Sequence, residues 1–153
     1  MIKHVWSVFC SKDIINSVTN NITLVEIIER LQVQGRPSTE SDSVFLGPIN
    51  GVLVTLWSLI DLSTPSKGVA KVVFYDASGK EHGAFPQEVD LTTYHRTRLR
   101  TVVPTIPVSG SGNHVWSILV KDPDTDDFRE VARVPIEVSV ELDQLESERE
   151  EEA

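Results

Sequence analysis

Residues 128–142 alternate most strictly. Phe128, Glu130, Ala132, Val134, Ile136, Val138, Val140 and Leu142 fall on one parity, and Pro135, Glu137, Ser139 and Glu141 on the other. Successive side chains of a strand point to opposite faces, so this pattern predicts a strand with one face on a core and one in water. Pro135 has no N–H to donate, which places the strand at an edge or puts a bulge there. Residues 114–121 carry Trp116, Ile118 and Val120 on one face, and residues 122–127 between the two runs are rich in turn formers. Together they predict a terminal hairpin over 114–140, introduced by a turn at Gly110-Ser111-Gly112-Asn113.

The same reasoning predicts further strands. Residues 51–61 form a near-continuous apolar run, as expected of a strand covered on both faces. Residues 69–76 form another, closed by a turn at 77–80. Residues 99–108 are β-rich but hold Pro104 and Pro107, so an irregular or edge strand is expected. Residues 2–10 open the fold. Residues 24–31 fit two templates. Leu24, Ile27, Ile28 and Leu31 have helical spacing, and Thr23 with Glu26 matches a capping box. Against this, β-branched content and flanking turns slightly favour a strand over 22–33. Residues 35–50, with Gly35, Pro37, Gly47 and Pro48, read as a long loop, and the chain from about residue 143 as an acidic tail, helical or disordered.

Seven or eight short strands separated by turns predict an all-β, two-layer antiparallel sandwich of immunoglobulin-like type, a single domain over 1–142 with at most one short helix. The chain has 153 residues, 40% of them hydrophobic, which suffices for one full core. Cys10 is the only cysteine, so no internal disulfide forms. The opening apolar stretch is short and broken by His4 and Ser7, a poor secretory signal, and no window is long enough for a spanning helix. The expectation is a cytoplasmic protein with no membrane partner. Of the net charge of −9, the segment from Glu141 onward carries −6, which leaves −3 for the body. A near-neutral body with an acidic end argues against nucleic-acid binding.

Three stretches taken together carry a resemblance: the strand ending at Cys10 followed by residues 19–29, the run 51–57, and residues 115–120 with 134–138. This layout resembles a family of short bacterial β-sandwich proteins known only as a domain of unknown function. The resemblance covers about residues 1–140. It implies an immunoglobulin-like or similar sandwich in a bacterial cytoplasm and a strand at 22–33, and it carries over no functional residue.

Two clusters could carry chemistry. In a strand, Tyr94, Arg96, Arg98 and Arg100 would share a face, and three guanidinium groups beside a phenol ring suit a carboxylate, a phosphate or an acidic partner. The alternative is a solvent face paired across strands with Asp or Glu. Asp122, Asp124 and Asp126 have the alternating spacing of a calcium loop, but Asp127 and Arg133 stand where an EF-hand needs Gly and Glu. These aspartates then form either part of a metal site completed by other loops or a solvated turn. His4, His82, His95 and His114 show no zinc-ligand spacing, although His-Val-Trp-Ser occurs at both 4–7 and 114–117. Cys10 reads as a core thiol rather than a nucleophile. The tail reads as a solubilising end, or as a segment that docks on a basic partner or on Arg96, Arg98 and Arg100.

The resulting expectation is a non-enzymatic interaction or structural module without a cofactor, whose partner is another protein or a second copy of itself. The alternatives are a binding domain for an anion, a sugar or calcium, and an enzyme whose site is assembled from distant residues.

Overall fold

The computed structural model describes residues 1–35 and 45–142. These form nine strands: β1 (Ile2–Ile15), β2 (Ile22–Ile27), β3 (Arg30–Gly35), β4 (Phe45–Leu59), β5 (Ser66–Tyr75), β6 (Glu81–Leu91), β7 (Arg96–Val108), β8 (Gly112–Lys121) and β9 (Arg129–Leu142). There is no helix among the described residues, and so none long and apolar enough to cross a membrane.

One sheet has the order β2-β1-β4-β7 and the other β3-β9-β8-β5-β6. The core lies between them. Phe9, Leu53, Trp57, Val103 and Ile106 from the first sheet meet Val72, Phe74, Trp116, Ile118, Ile136 and Val138 from the second. The predicted terminal hairpin is β8–β9, with Trp116, Ile118, Val120, Ile136 and Val138 buried. β4 is central, and both its faces are covered as its apolar run predicts: Leu53 and Trp57 join the main core, while Val52 and Val54 join a second cluster on the opposite face.

Several expectations change. Pro135 lies within β9, between β3 and β8, rather than on an edge strand. It is tolerated because β3 pairs with β9 only from Glu137 onward, which leaves Pro135 with a neighbour on one side alone. The β3–β9 pairing is parallel, so the second sheet is mixed rather than purely antiparallel. Residues 22–33 are extended, but as two strands in different sheets. Glu26 takes a left-handed φ of 53°, and beyond it Ile28 enters the main core, so the chain passes from one sheet to the other. Of the predicted loop over 35–50, residues 36–44 lie outside the described residues, while Phe45–Asn50 belong to β4, where Phe45–Pro48 pair with β7 before a bulge at Ile49 and Asn50. Strand β6 carries polar residues and Pro86 and gave no periodic signal; pairing with β5 makes it. The acidic tail beyond Leu142 also lies outside the described residues.

Candidate functional site

The predicted arginine face exists, and the first hairpin builds it into a trough. β1 pairs with β4 only as far as Cys10, then continues with β2 to Ile15. Past Cys10 the chain turns back over the outer face of the first sheet. Asp13 meets Arg100, whose register partner on β4 is Val54, opposite Val8. Further along, Asn20 at the hairpin tip meets Arg98, whose partner Leu56 lies opposite Trp6. The overlay has an apolar cause: Ile22 and Leu24 of the hairpin pack on Cys10, Val52 and Val54, as do Trp6 and Val8, burying a face that would otherwise be solvated.

The tip is locally built. Asn16 Oδ1 accepts from the backbone N–H groups of Val18 and Thr19 at 2.9 and 3.0 Å, and Asn20 adopts a left-handed φ of 59°. That conformation presents Asn20 to Arg98, whose Nη2 donates to its carbonyl oxygen at 2.8 Å and to its Oδ1 at 2.9 Å. Arg100 forms a bidentate pair with Asp13, donating from Nε and from Nη2. The Asp13 carboxylate is almost wholly enclosed. The hydrogen bonds from Arg100 hold it below the usual carboxylate range, against the opposing effect of burial.

Arg96 is exposed and has no hydrogen-bond or ion-pair partner among the described residues. Tyr94 precedes β7 rather than lying in it, and the residue is 74% exposed. Both still line the same cavity as Arg98 and Arg100, a trough of about 550 Å³ with Ile15 and Leu56 as apolar wall. The four predicted residues are therefore brought together, but in two roles. Arg100 and Arg98 are tied to the hairpin, and Arg96 and Tyr94 are available to something else.

The aspartates are not gathered in this way. Asp122 Oδ1 accepts from the Ile2 backbone N–H at 2.8 Å, and its Oδ2 lies 3.4 Å from Arg129, which itself donates to the Ile2 carbonyl at 2.7 Å. Asp122 thus latches the first strand, while Asp124 and Asp126 are exposed in the turn. Among the described residues, no group of three or more His, Cys, Asp or Glu side chains could hold a metal ion.

Sequence reasoning missed one buried polar cluster. Asp76 has an enclosed carboxylate that accepts from Ser78 Oγ at 2.5 Å and from the backbone N–H groups of Ser78 and Lys80, and lies 2.5 Å from His82 Nε2. Burial alone would raise its pKa, but these hydrogen bonds outweigh it and hold the group well below the usual carboxylate range. The serine hydroxyl points at the carboxylate and not at the imidazole, so this is a stapled β5–β6 turn rather than a nucleophile facing its base. Cys10 is buried, its thiol directed at the Val52 carbonyl, and burial together with Asp13 pushes its pKa up.

The two His-Val-Trp-Ser segments are placed differently. A bulge between His4 and Trp6 sets His4 against Trp57 of the main core and Trp6 in the outer cluster, on opposite faces. On β8, which has no irregularity there, His114 and Trp116 both face inward.

No family model matches the chain, and no curated protein matches it. Among solved structures, the chain is similar to the C-terminal domain of wzt, with a TM-score of 0.49 and 11% identity over 93% of this chain and 75% of that one. A second similarity is to the N-terminal domain of PorA, with a TM-score of 0.28 and 12% identity over 89% of this chain and 98% of that one. At these levels neither says what the chain does.

Proposed function

We propose that this protein is a non-catalytic binding module, an immunoglobulin-like β-sandwich that docks an acidic segment of a partner protein along the arginine trough. The observation that carries this reading is the division of labour among the arginines: Arg98 and Arg100 are fixed by Asn20 and Asp13, while Arg96 stands beside them with Tyr94 exposed. A guanidinium held by one acceptor keeps its remaining N–H groups in a fixed direction, which lowers the ordering cost of gripping a carboxylate. Tyr and Arg beside exposed apolar groups are the side chains on which protein interfaces concentrate their binding energy. Here Ile15 lines the trough, and Val18 at the hairpin tip is 91% exposed. The complementary partner is a carboxylate-bearing segment with neighbouring aliphatic side chains. Asp13, which meets Arg100 of the trough, is committed to that pair and so serves as an anchor rather than a free base.

The test is fluorescence anisotropy with a labelled peptide of alternating Glu and Leu. Binding should weaken as salt rises and fall roughly tenfold or more in Arg96→Glu, about 1.4 kcal/mol. Arg30→Glu, which alters an exposed pair with Glu137 on another part of the surface, serves as the control and should bind as the wild type does. Equal binding by Arg96→Glu and the wild type would reject the proposal. Saturable stabilisation by inorganic phosphate with no peptide binding would replace it with a small-anion site in the same trough.

A further inference from the structure

The arginine trough has an acidic counterpart in the same chain. Its lining holds Arg96, Arg98 and Arg100 and no carboxylate, and Asp13 offsets only the charge of Arg100. Residues 143–153, beyond β9 and outside the described residues, carry six acids (Asp143, Glu146, Glu148, Glu150, Glu151 and Glu152) against one base, Arg149. Leu145 precedes Glu146, so this stretch joins an aliphatic side chain to carboxylates. That make-up complements the arginines and the apolar wall of Ile15 and Leu56. The other acidic stretch, residues 122–127, fits less well. It has no branched aliphatic side chain, and Asp122 is committed to Ile2 and Arg129.

Reach decides which copy's trough the segment can fill. Near the end of β9, Val140 pairs with Val33, and Val33 stands with Val108 against Gly47 of β4. The chain therefore leaves β9 near the Val108 end of β7. Arg96 opens that strand at the other end, and Arg96–Val108, 13 residues, spans about 40 Å at ~3.3 Å per residue. A fully extended chain gains at most ~3.5 Å per residue, so Glu146 and Glu148 reach only about 14 and 21 Å beyond Leu142, and even Glu152 only about 35 Å. The segment is too short to fill the trough of its own chain. A second copy imposes no such limit. Two copies lying side by side and antiparallel bring the Leu142 end of each to the Arg96 end of the other. The exchange then closes on a twofold axis, and the second contact forms at high effective concentration once the first is made.

We infer that residues 143–153 of one copy occupy the arginine trough of a second copy, and reciprocally, so that the chain forms a salt-sensitive dimer through its own acidic segment. This rests on the reading of the trough as a site for an acidic peptide, and it names that site's partner. The exchanged segment covers the trough, so any other acidic peptide competes with it.

The experiment is sedimentation equilibrium of the full chain over a concentration series. At low salt the average mass should rise from one chain to two, and at high salt it should return to one. Two full-length variants each remove one half of the contact. One is Arg96→Glu, at an exposed position; the other combines Glu146→Gln, Glu148→Gln, Glu150→Gln, Glu151→Gln and Glu152→Gln. Each alone should associate roughly tenfold or more weakly than the wild type. Mixed in equal amounts they should associate more strongly than either alone, since one supplies the segment and the other the trough. Asp124→Asn with Asp126→Asn and Asp127→Asn, which alters the other acidic stretch, should dimerise as the wild type does. A wild type that stays at one chain mass, a dimer unchanged in the two variants, or a mixture no stronger than its components would each overturn the inference. The glutamine variant also separates the two readings, because its trough is intact and uncovered. If it binds the labelled Glu–Leu peptide while the wild type stays at one chain mass, the dimer fails and the trough stands. If it binds no peptide and the wild type stays at one chain mass, both fail.

Discussion

Arg100 on β7 and Asp13 on β1 meet across 87 residues of chain, Nη2 to Oδ1 at 2.6 Å, and this pair pins the folded-over first hairpin to the far edge of its own sheet. The Asp13 side chain is enclosed while that of Arg100 is 45% exposed, so losing the arginine leaves a buried charge unmatched. Arg100→Gln should therefore lower stability by about 1–3 kcal/mol, and Asp13→Asn by less, since its amide still offers the guanidinium an acceptor. Urea unfolding of both variants and of the double variant measures the coupling. Additive losses would show that the pair does not hold the hairpin.

The second apolar cluster should behave as a separately loosened unit. Leu24 is half-buried against Cys10, Val52 and Val54. Leu24→Ala should cost about 2 kcal/mol, the low end for such a truncation. The change should speed amide exchange in β2 and the hairpin tip much more than in β5 or β8. Uniform loss of protection throughout the molecule would show that the hairpin and the main core open together.

Stability should fall on acidification in two stages. Burial lowers the His114 pKa from 6.5, so the unfolded chain takes up that proton more readily than the folded one. Its contribution is complete above about pH 6.5 and is lost as pH falls below it. Asp76 and Asp13 are depressed from 3.8, so their contributions are complete above that value and are lost as pH falls through it toward their folded values. Unfolding free energies measured between pH 8 and pH 3 should decline first below 6.5 and more steeply below 4. Burial lowers the His4 pKa in the same way, so His114→Phe should remove part of the first stage and His114→Phe with His4→Phe the rest, and a flat profile between pH 7 and 5 in the wild type would contradict the assignment.

Gly68 on β5 packs where no side chain fits. A Cβ built there would stand 2.6 Å from the Lys121 carbonyl oxygen and 2.6 Å from Ile2 Cδ1. The isoleucine can adjust, but the carbonyl belongs to the neighbouring strand. Gly68→Ala should destabilise by about 1–3 kcal/mol. Gly79→Ala meets no neighbour within 4 Å, but its φ of +85° strains any side chain, for about 1 kcal/mol. Thermal melts of the two variants should rank in that order.

The strands were legible where alternation or a covered apolar run is a local property. Ile136 and Val138 against Glu137, or Leu53 and Val54 side by side, declare their burial whatever their partners are. β6 was not legible, because only Val89 and Leu91 at its end are buried in the core, while its polar residues and Pro86 are placed by the register with β5 and by the hydrogen bond from Gln87 to β7. The arginine face could be read from the spacing of Arg96, Arg98 and Arg100, but not its division of roles, since Asp13 and Asn20 lie far away in the chain. The repeat His-Val-Trp-Ser shows the limit most directly. One copy has a bulge that sends Trp6 outward, and the other keeps Trp116 inward beside its unmatched N–H.

The amino-acid order by itself determined that this chain is extended and two-faced over most of its length, because side-chain alternation is a property of each strand alone. Only the tertiary structure decided which strands pair, that β3 joins β9 in parallel, that the first hairpin folds back over its sheet, and which polar groups end without partners. Those outcomes depend on contacts between residues distant in the chain, whose free energies no single stretch contains.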